Sequence, residues 1–345
     1  MISVNFSWKH MPTVKDVAER AGVSVATVSR TLSGYPHVSP AARERVLKAV
    51  EELNYRPDQV ARSLRRRRSN LIGLVVSTIE NVFFTELARA AEQSARDFGY
   101  NLILCNTDEN PQQEATYLGI LDQQLVAGVI LAPAPGNAGH LKPFIESGLP
   151  IVLVNRRLNH VSCISITSDD EEAAFQCVQH LIDQGRRRIA AVTGLADVFT
   201  TNERLTGYRR ALVEAQIPFD PTLVISGWAS LKGGYEAAAQ LMQRDLPPDA
   251  IFAFNNVMTQ GVIIALQEVG IRWPDQIDVA GFGVFEHAHL YRPPLTLIRQ
   301  PTREMGRKAV EMLLQQVEHG PAENGDQPQI VLNNQLIVGD LQFTP

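Results

Sequence analysis

A chain of 345 residues, 45% hydrophobic and 20% charged, is long enough for two or three buried cores and has a globular rather than a disordered composition. No apolar run approaches the roughly 20 residues that span a bilayer, and "MISVNFSWKH" lacks the long apolar core of a secretion signal. A membrane protein and an exported binding protein are therefore not expected, and a cytoplasmic one is.

The net charge of −5 is unevenly spread: residues 11–70 hold 12 Lys/Arg against 6 Asp/Glu, while residues 71–345 hold 19 against 31. A basic head on an acidic body points to a polyanion as partner of the head alone. Residues 1–10 read as an extension, expected to be disordered, and the first patterned segment starts at Met11. Thr13 precedes "VKDVAERAG", where Val14, Val17, Ala18 and Ala21 recur at helical spacing before Gly22. Ser24 is placed to cap a second helix, "VATVSRTL". Ser39-Pro40 opens a third, "AARERVLKAVEELNY", with Val46, Leu47, Val50 and Leu53 on one face. Three such helices make a unit of helix-turn-helix size over 11–57, followed by a basic linker with a short helix at 58–70.

The second helix holds the residue types that a groove-reading helix needs. Val25 and Ala26 are small enough for close approach to base edges, and Arg30, one turn on, can reach guanine O6 and N7. Ser24, Thr27 and Ser29, with Thr13 on the first helix, suit phosphate oxygens. Val17, Ala21, Val23, Val28 and Leu32 are expected inside.

From Leu71 short apolar runs ("LIGLVVS", "NLILCN", "GVILA", "IVLVN", "CISI", "IAAVTG", "AIFAF", "IDVAGF") alternate with amphipathic stretches at 83–98, 111–125, 169–185, 202–215, 231–244 and 256–269. The alternation predicts parallel sheets covered by helices. About 275 residues are long for one doubly wound sheet, so two similar lobes are expected, with a ligand between them near the carboxyl ends of the strands. Cys105, Cys163 and Cys177 read as reduced core thiols. There is no Gly-rich phosphate loop, nucleophile elbow or zinc spacing, and Glu286, His287 and His289 of "EHAH" lack a clear fourth ligand. Neither an enzyme nor a cofactor or metal protein is expected.

The segments "TVKDVAERAGVSVATVSRTLSG", "VSPAARERVLKAVEELNYRPDQVARSL", "DEEAAFQCVQHLIDQGRRRIAAVTG", "RLTGYRRAL" and "PPLTLIRQPTREMGRKAVEMLL" resemble the lactose/galactose repressor family of bacterial transcription regulators, over residues 12–320. The resemblance implies an N-terminal all-α helix-turn-helix head with a hinge helix, and an α/β two-lobed core like that of periplasmic binding proteins. It also implies a repressor acting as a homodimer on near-palindromic double-stranded operator DNA, controlled by a small effector. In "DQVARSL" it makes Leu64 a minor-groove wedge and Ala61 the point where paired hinge helices approach. The arginine run 65–68 reads equally as phosphate contacts or as a solvated linker. The resemblance places lobe 1 at about 71–165 and 297–326, and lobe 2 at about 166–294 and 329–345. It makes Arg204 of "RLTGY" a ligand contact, with a lobe-to-lobe salt bridge as the alternative, and places the family's aromatic cleft wall at "NVFF", where one of Phe83 and Phe84 stacks on the ligand and the other belongs to the core.

Three departures from the family pattern bear on the ligand. Where the family commonly has carboxylates, this chain has Gly283, Asn155 (followed by Arg156 and Arg157) and Asn256 of the pair Asn255-Asn256. Carboxylates suit neutral sugar hydroxyls, and around an anion they repel. The expected effector is an anionic carbohydrate, a sugar acid or sugar phosphate, contacted by Asn155, Arg156, Arg204, Asn255 and Gly283; a neutral sugar or a purine is the alternative.

Overall fold

A computed structural model describes residues 12–32, 35–55, 69–136, 138–158, 161–285, 287–292, 294–320 and 327–339. Ala61, Leu64 and the arginine run 65–68 lie outside the described residues, as do residues 1–10 and Glu286. The chain divides into two units, Met1–Ser69 and Asn70–Pro345.

In the first unit, α1 (Val14–Ala21), α2 (Val25–Leu32) and α3 (Pro40–Glu52) close around Val17, Ala18, Ala21, Val28, Val46 and Ala49. Val23 and Leu32, expected inside, pack on this core partly buried. Thr13 and Asp16 cap α1 reciprocally: Asp16 N–H donates to Thr13 Oγ1 at 3.4 Å and Thr13 N–H to Asp16 Oδ2 at 2.6 Å. Gly22, at φ 61°, ends α1 in the left-handed conformation that turns the chain toward α2. Thr27 N–H donates to Ser24 Oγ at 3.2 Å, which starts α2. Val28 and Thr31 face inward, so the helical period leaves Val25, Ala26 and Arg30 on the outside.

The second unit begins with β1 (Leu71–Val76), α4 (Val82–Asp97), β2 (Asn101–Asn106), α5 (Pro111–Gln123), β3 (Gly128–Leu131), α6 (Lys142–Glu146), β4 (Ile151–Val154) and β5 (Ile164–Ser168). It continues with α7 (Asp170–Asp183), β6 (Ile189–Thr193), α8 (Phe199–Glu214), β7 (Val224–Ser226), α9 (Leu231–Met242), β8 (Ala250–Ala253), α10 (Asn256–Glu268) and β9 (Asp278–Phe282). Last come β10 (Thr296–Arg299), α11 (Thr302–His319), β11 (Gln329–Leu332) and β12 (Gln335–Ile337). Two six-stranded sheets result, in the orders β11-β5-β4-β3-β1-β2 and β12-β10-β9-β8-β6-β7. All pairings are parallel except β10 with β12. Their strands are apolar because helices cover both faces of each sheet.

The chain passes between lobes three times, at 168–170, 299–302 and 332–335. These crossings correct the expected lobe limits. All of Ile164–Ser168 pairs in the first sheet, Thr296–Arg299 pairs with β9 in the second, and Gln329–Leu332 pairs with β5 in the first. An apolar run announces a strand but not the sheet it joins. The helix α11 returns to lobe 1, where Met305, Ala309, Val310 and Leu313 pack with Leu87 and Ile130. No helix among the described residues is long and apolar enough to cross a membrane.

Candidate functional site

Loops at the carboxyl ends of strands in both sheets line one cleft. Six of the seven predicted effector residues line it: Phe83, Phe84, Asn155, Arg156, Arg204 and Asn255. Gly283 stands at its edge, where an added Cβ would lie 3.4 Å from Asn256 Cβ and 3.5 Å from Gln300 Oε1. Both of those neighbours line the cleft.

In lobe 1, Asn81 caps α4 by accepting from Phe83 N–H at 3.0 Å, which brings Phe83 and Phe84 to the cleft. Their rings meet edge to face at 5.0 Å. After β4 the backbone turns through Asn155 at φ 63°, a conformation asparagine tolerates better than most residues. Arg156 then binds Glu109 through both guanidinium nitrogens at 2.6 Å and donates to the Pro133 carbonyl at 2.9 Å. Three buried polar atoms of this lobe, Ser77 Oγ, Asn155 Oδ1 and Arg156 Nε, have no hydrogen-bond partner among the described residues, and all three residues line the cleft. Such groups are normally satisfied, by protein or by ordered water.

In lobe 2, Arg204 of α8 donates through Nε to Asp170 Oδ2 at 2.8 Å, with Nη2 at 2.7 Å from the same oxygen, and through Nη1 to the Phe254 carbonyl. Its guanidinium lies 3.6 Å from the Phe282 ring centroid. Burial pushes the guanidinium below its ordinary range; Asp170 opposes that, and the Arg156 charge adds to it. At the start of the same helix Val198 makes no side-chain cap, and the nearly buried Thr200 and Thr201 line the cleft.

Glu109 and Asp170 escape sequence reasoning because 47 and 34 residues separate them from their arginines. Ser77 and Gln300 give no local signal either. The first unit presents Thr13, Ser24, Val25, Ala26 and Arg30 as exposed and Thr27 and Ser29 as half-buried. Thr13, Ser24 and Thr27 also use their hydroxyls locally, Ser24 Oγ and Thr27 Oγ1 meeting at 2.9 Å. Arg30 lies 6.0 Å from the Tyr35 ring centroid.

Residues 13–58 match the family described as bacterial regulatory proteins, lacI family. Residues 69–335 match that of periplasmic binding proteins and sugar binding domain of LacI family. Catabolite control protein A of Priestia megaterium is 36% identical over 302 residues, covering 87% of this chain and 91% of its own. The HTH-type transcriptional repressor PurR of Vibrio parahaemolyticus is 35% identical over 329 residues, covering 94% and 98%. The crystal structure of the lac repressor dimer bound to operator and the anti-inducer ONPF aligns with a TM-score of 0.84 at 28% identity, over 95% of this chain and 98% of that one. The complex of the transcriptional regulator CelR with cellobiose aligns at 0.73 and 30%, over 95% and 99%. Head and core are thus matched in a single chain, which belongs to the LacI family of DNA-binding transcriptional repressors.

Proposed function

We propose that the protein represses transcription as a homodimer on a near-palindromic operator, and that an acidic carbohydrate bound between the lobes sets its operator affinity. Val25, Ala26 and Arg30 read base edges in the major groove, and Thr13, Ser24, Thr27 and Ser29 hold phosphates. The exposed outer face of α2 supports this assignment. Leu64 wedges the minor groove between hinge helices that approach at Ala61. Effector binding changes the lobe angle and thereby the population able to hold the operator.

One observation carries the effector class. Arg156 and Arg204 line the cleft from opposite lobes, and Glu109, the single carboxylate among the described lining residues, is already held by Arg156. A carboxylate or phosphate between the two guanidinium groups would lie between two cations, each of which also has a carboxylate partner, Glu109 for Arg156 and Asp170 for Arg204. The start of α8, with the Thr200 and Thr201 hydroxyls, adds donors on one side. Ligand hydroxyls then meet Ser77 and Asn155. Similarity to PurR repressors favours a second reading, a purine stacked on the Phe83–Phe84 wall.

The test is the melting temperature of the full chain with D-gluconate, D-glucuronate, glucose 6-phosphate, D-glucose and hypoxanthine. A ligand at a hundred times its Kd stabilises the native state by about 2.7 kcal/mol. A rise with the acids, followed by altered retention of a selected operator, is the expected result. A rise with hypoxanthine or glucose alone replaces the acidic reading.

A further inference from the structure

We propose that Glu114 is a positioning residue of the effector cleft, holding Arg156 in place through the Pro133-Ala134 peptide. The inference rests on the reading that this cleft binds the effector. Glu114, in the first turn of α5, is fully buried although carboxylates seldom enter cores. Its Oε2 accepts from Ala134 N–H at 2.6 Å, and its Oε1 lies 2.6 Å from His140 Nε2. One carboxylate therefore pins both ends of the segment 134–140. The residue before that segment, Pro133, gives its carbonyl to Arg156 Nη1 at 2.9 Å. Glu109, just before the same helix, accepts from Nη1 and Nη2 of Arg156. The cleft-lining guanidinium is thus held by two anchors, both placed by the start of α5.

Removing the Glu114 carboxylate leaves the Ala134 N–H without its acceptor, and the Pro133-Ala134 peptide is then free to turn. Arg156 loses its carbonyl partner and is left with Glu109 as its one anchor. Supporting contacts of this kind decide whether a site is merely present or is held tightly enough to bind. A residue that only stapled the loop would lower stability independently of Arg156.

The experiment is a double-mutant cycle on the full chain with Glu114→Ala, Arg156→Met and both together, read by urea unfolding without ligand and by calorimetric binding of D-gluconate. The expected result is non-additive: the double variant loses less than the sum of the two single losses, since the His140 and Glu109 contacts contribute separately. Glu114→Ala weakens gluconate binding about tenfold or more and has no further effect once Arg156 is gone. Glu114→Gln, which keeps an acceptor for Ala134 N–H and a polar partner for His140, restores both readouts. Midpoint losses that simply add overturn the proposal, as does a Glu114→Ala variant that binds gluconate like the wild type. If gluconate does not bind the wild type, the acidic-effector reading fails separately and the urea cycle still decides the role of Glu114. Should Glu114→Ala fail to fold, His140→Phe, which removes one anchor, enters the same cycle with the same two outcomes.

Discussion

Asn256, the first residue of α10, donates through Nδ2 to Asn81 Oδ1 at 3.0 Å and so joins the two lobes across the cleft. The same oxygen accepts from Phe83 N–H at 3.0 Å and caps α4. One amide oxygen thus serves both the start of a lobe 1 helix and the contact to lobe 2. The pairing needs a donor at position 256, since a carboxylate there would set one acceptor against another.

Asn256→Ala removes the cross-lobe bond and leaves the α4 cap in place, at a cost of about 1 kcal/mol. Asn81→Ala removes both contacts and costs about 2 kcal/mol. Urea unfolding of the two variants measures the difference. Equal losses would mean that the α4 cap has no net weight, and an Asn256→Ala variant as stable as the wild type would mean that the contact between lobes has none.

Asp170, 1% exposed, binds Arg204 and also accepts from Ser168 Oγ at 2.6 Å and from Asn334 Nδ2 at 3.2 Å. Ser168 and Asn334 sit at two of the crossings between lobes, so the cleft-lining arginine is linked through Asp170 to two of the segments that join them. Asp170→Ala leaves a buried guanidinium uncompensated and is expected to cost about 3–5 kcal/mol in a urea titration. Replacing both partners, Arg204→Met with Asp170→Leu, recovers most of that stability without recovering gluconate binding. Recovery of both would make the pair structural alone.

The helical period of 13–32 and the alternation of apolar runs with amphipathic stretches made both units legible, because burial imposes a local pattern. The cleft residues Asn155 and Arg156 were legible from resemblance and from their position after β4, and Arg204, inside α8, from resemblance alone. Glu109, Glu114 and Asp170 were not, since each acts on a partner brought near only by the fold. Sheet membership at 296–299 and 329–332 was hidden for the same reason, as a strand's partner lies far away in sequence.

Cys163 is buried, and burial pushes its thiol up to about 11 from an ordinary 9.0. The folded state therefore holds this proton more tightly than the unfolded chain. Its contribution to stability is complete below about pH 9 and is lost as pH rises through about 11. Between pH 8 and 10.5 the wild type should lose about 2 kcal/mol more than Cys163→Ala, measured by urea unfolding at both pH values. Parallel losses would show that the thiol stays accessible to solvent as the chain folds.

On the head, Arg30→Ala should relax sequence preference at one guanine per half-site and cost about 1–3 kcal/mol there. Ser29→Ala should weaken binding evenly over all sequences, because phosphates carry no base identity. Leu64→Ala should lower affinity for the bent site while leaving the outer half-site preference intact. In vitro selection followed by sequencing separates these patterns. An even loss with Arg30→Ala would reassign that side chain to the phosphates.

Gly283→Asp tests the effector's charge. Gly283 has φ 91°, so any side chain there carries strain of about 1–2 kcal/mol, but the space around a Cβ is ordinary, with its nearest neighbours at 3.4–3.6 Å. The variant should therefore fold. Its carboxylate would enter beside Asn256 and Gln300, adding a negative charge to a cleft whose single lining carboxylate among the described residues is neutralised by Arg156. At about 6 Å and an effective dielectric near 20, repulsion of an acidic ligand is about 3 kcal/mol, and salt weakens it. Gly283→Ala carries the same backbone strain without the charge. D-gluconate should bind Gly283→Ala nearly as well as wild type and Gly283→Asp at least tenfold more weakly, with the gap narrowing as salt rises. Equal losses in the two variants would assign the effect to strain and leave the charge of the ligand to be decided by the arginines alone.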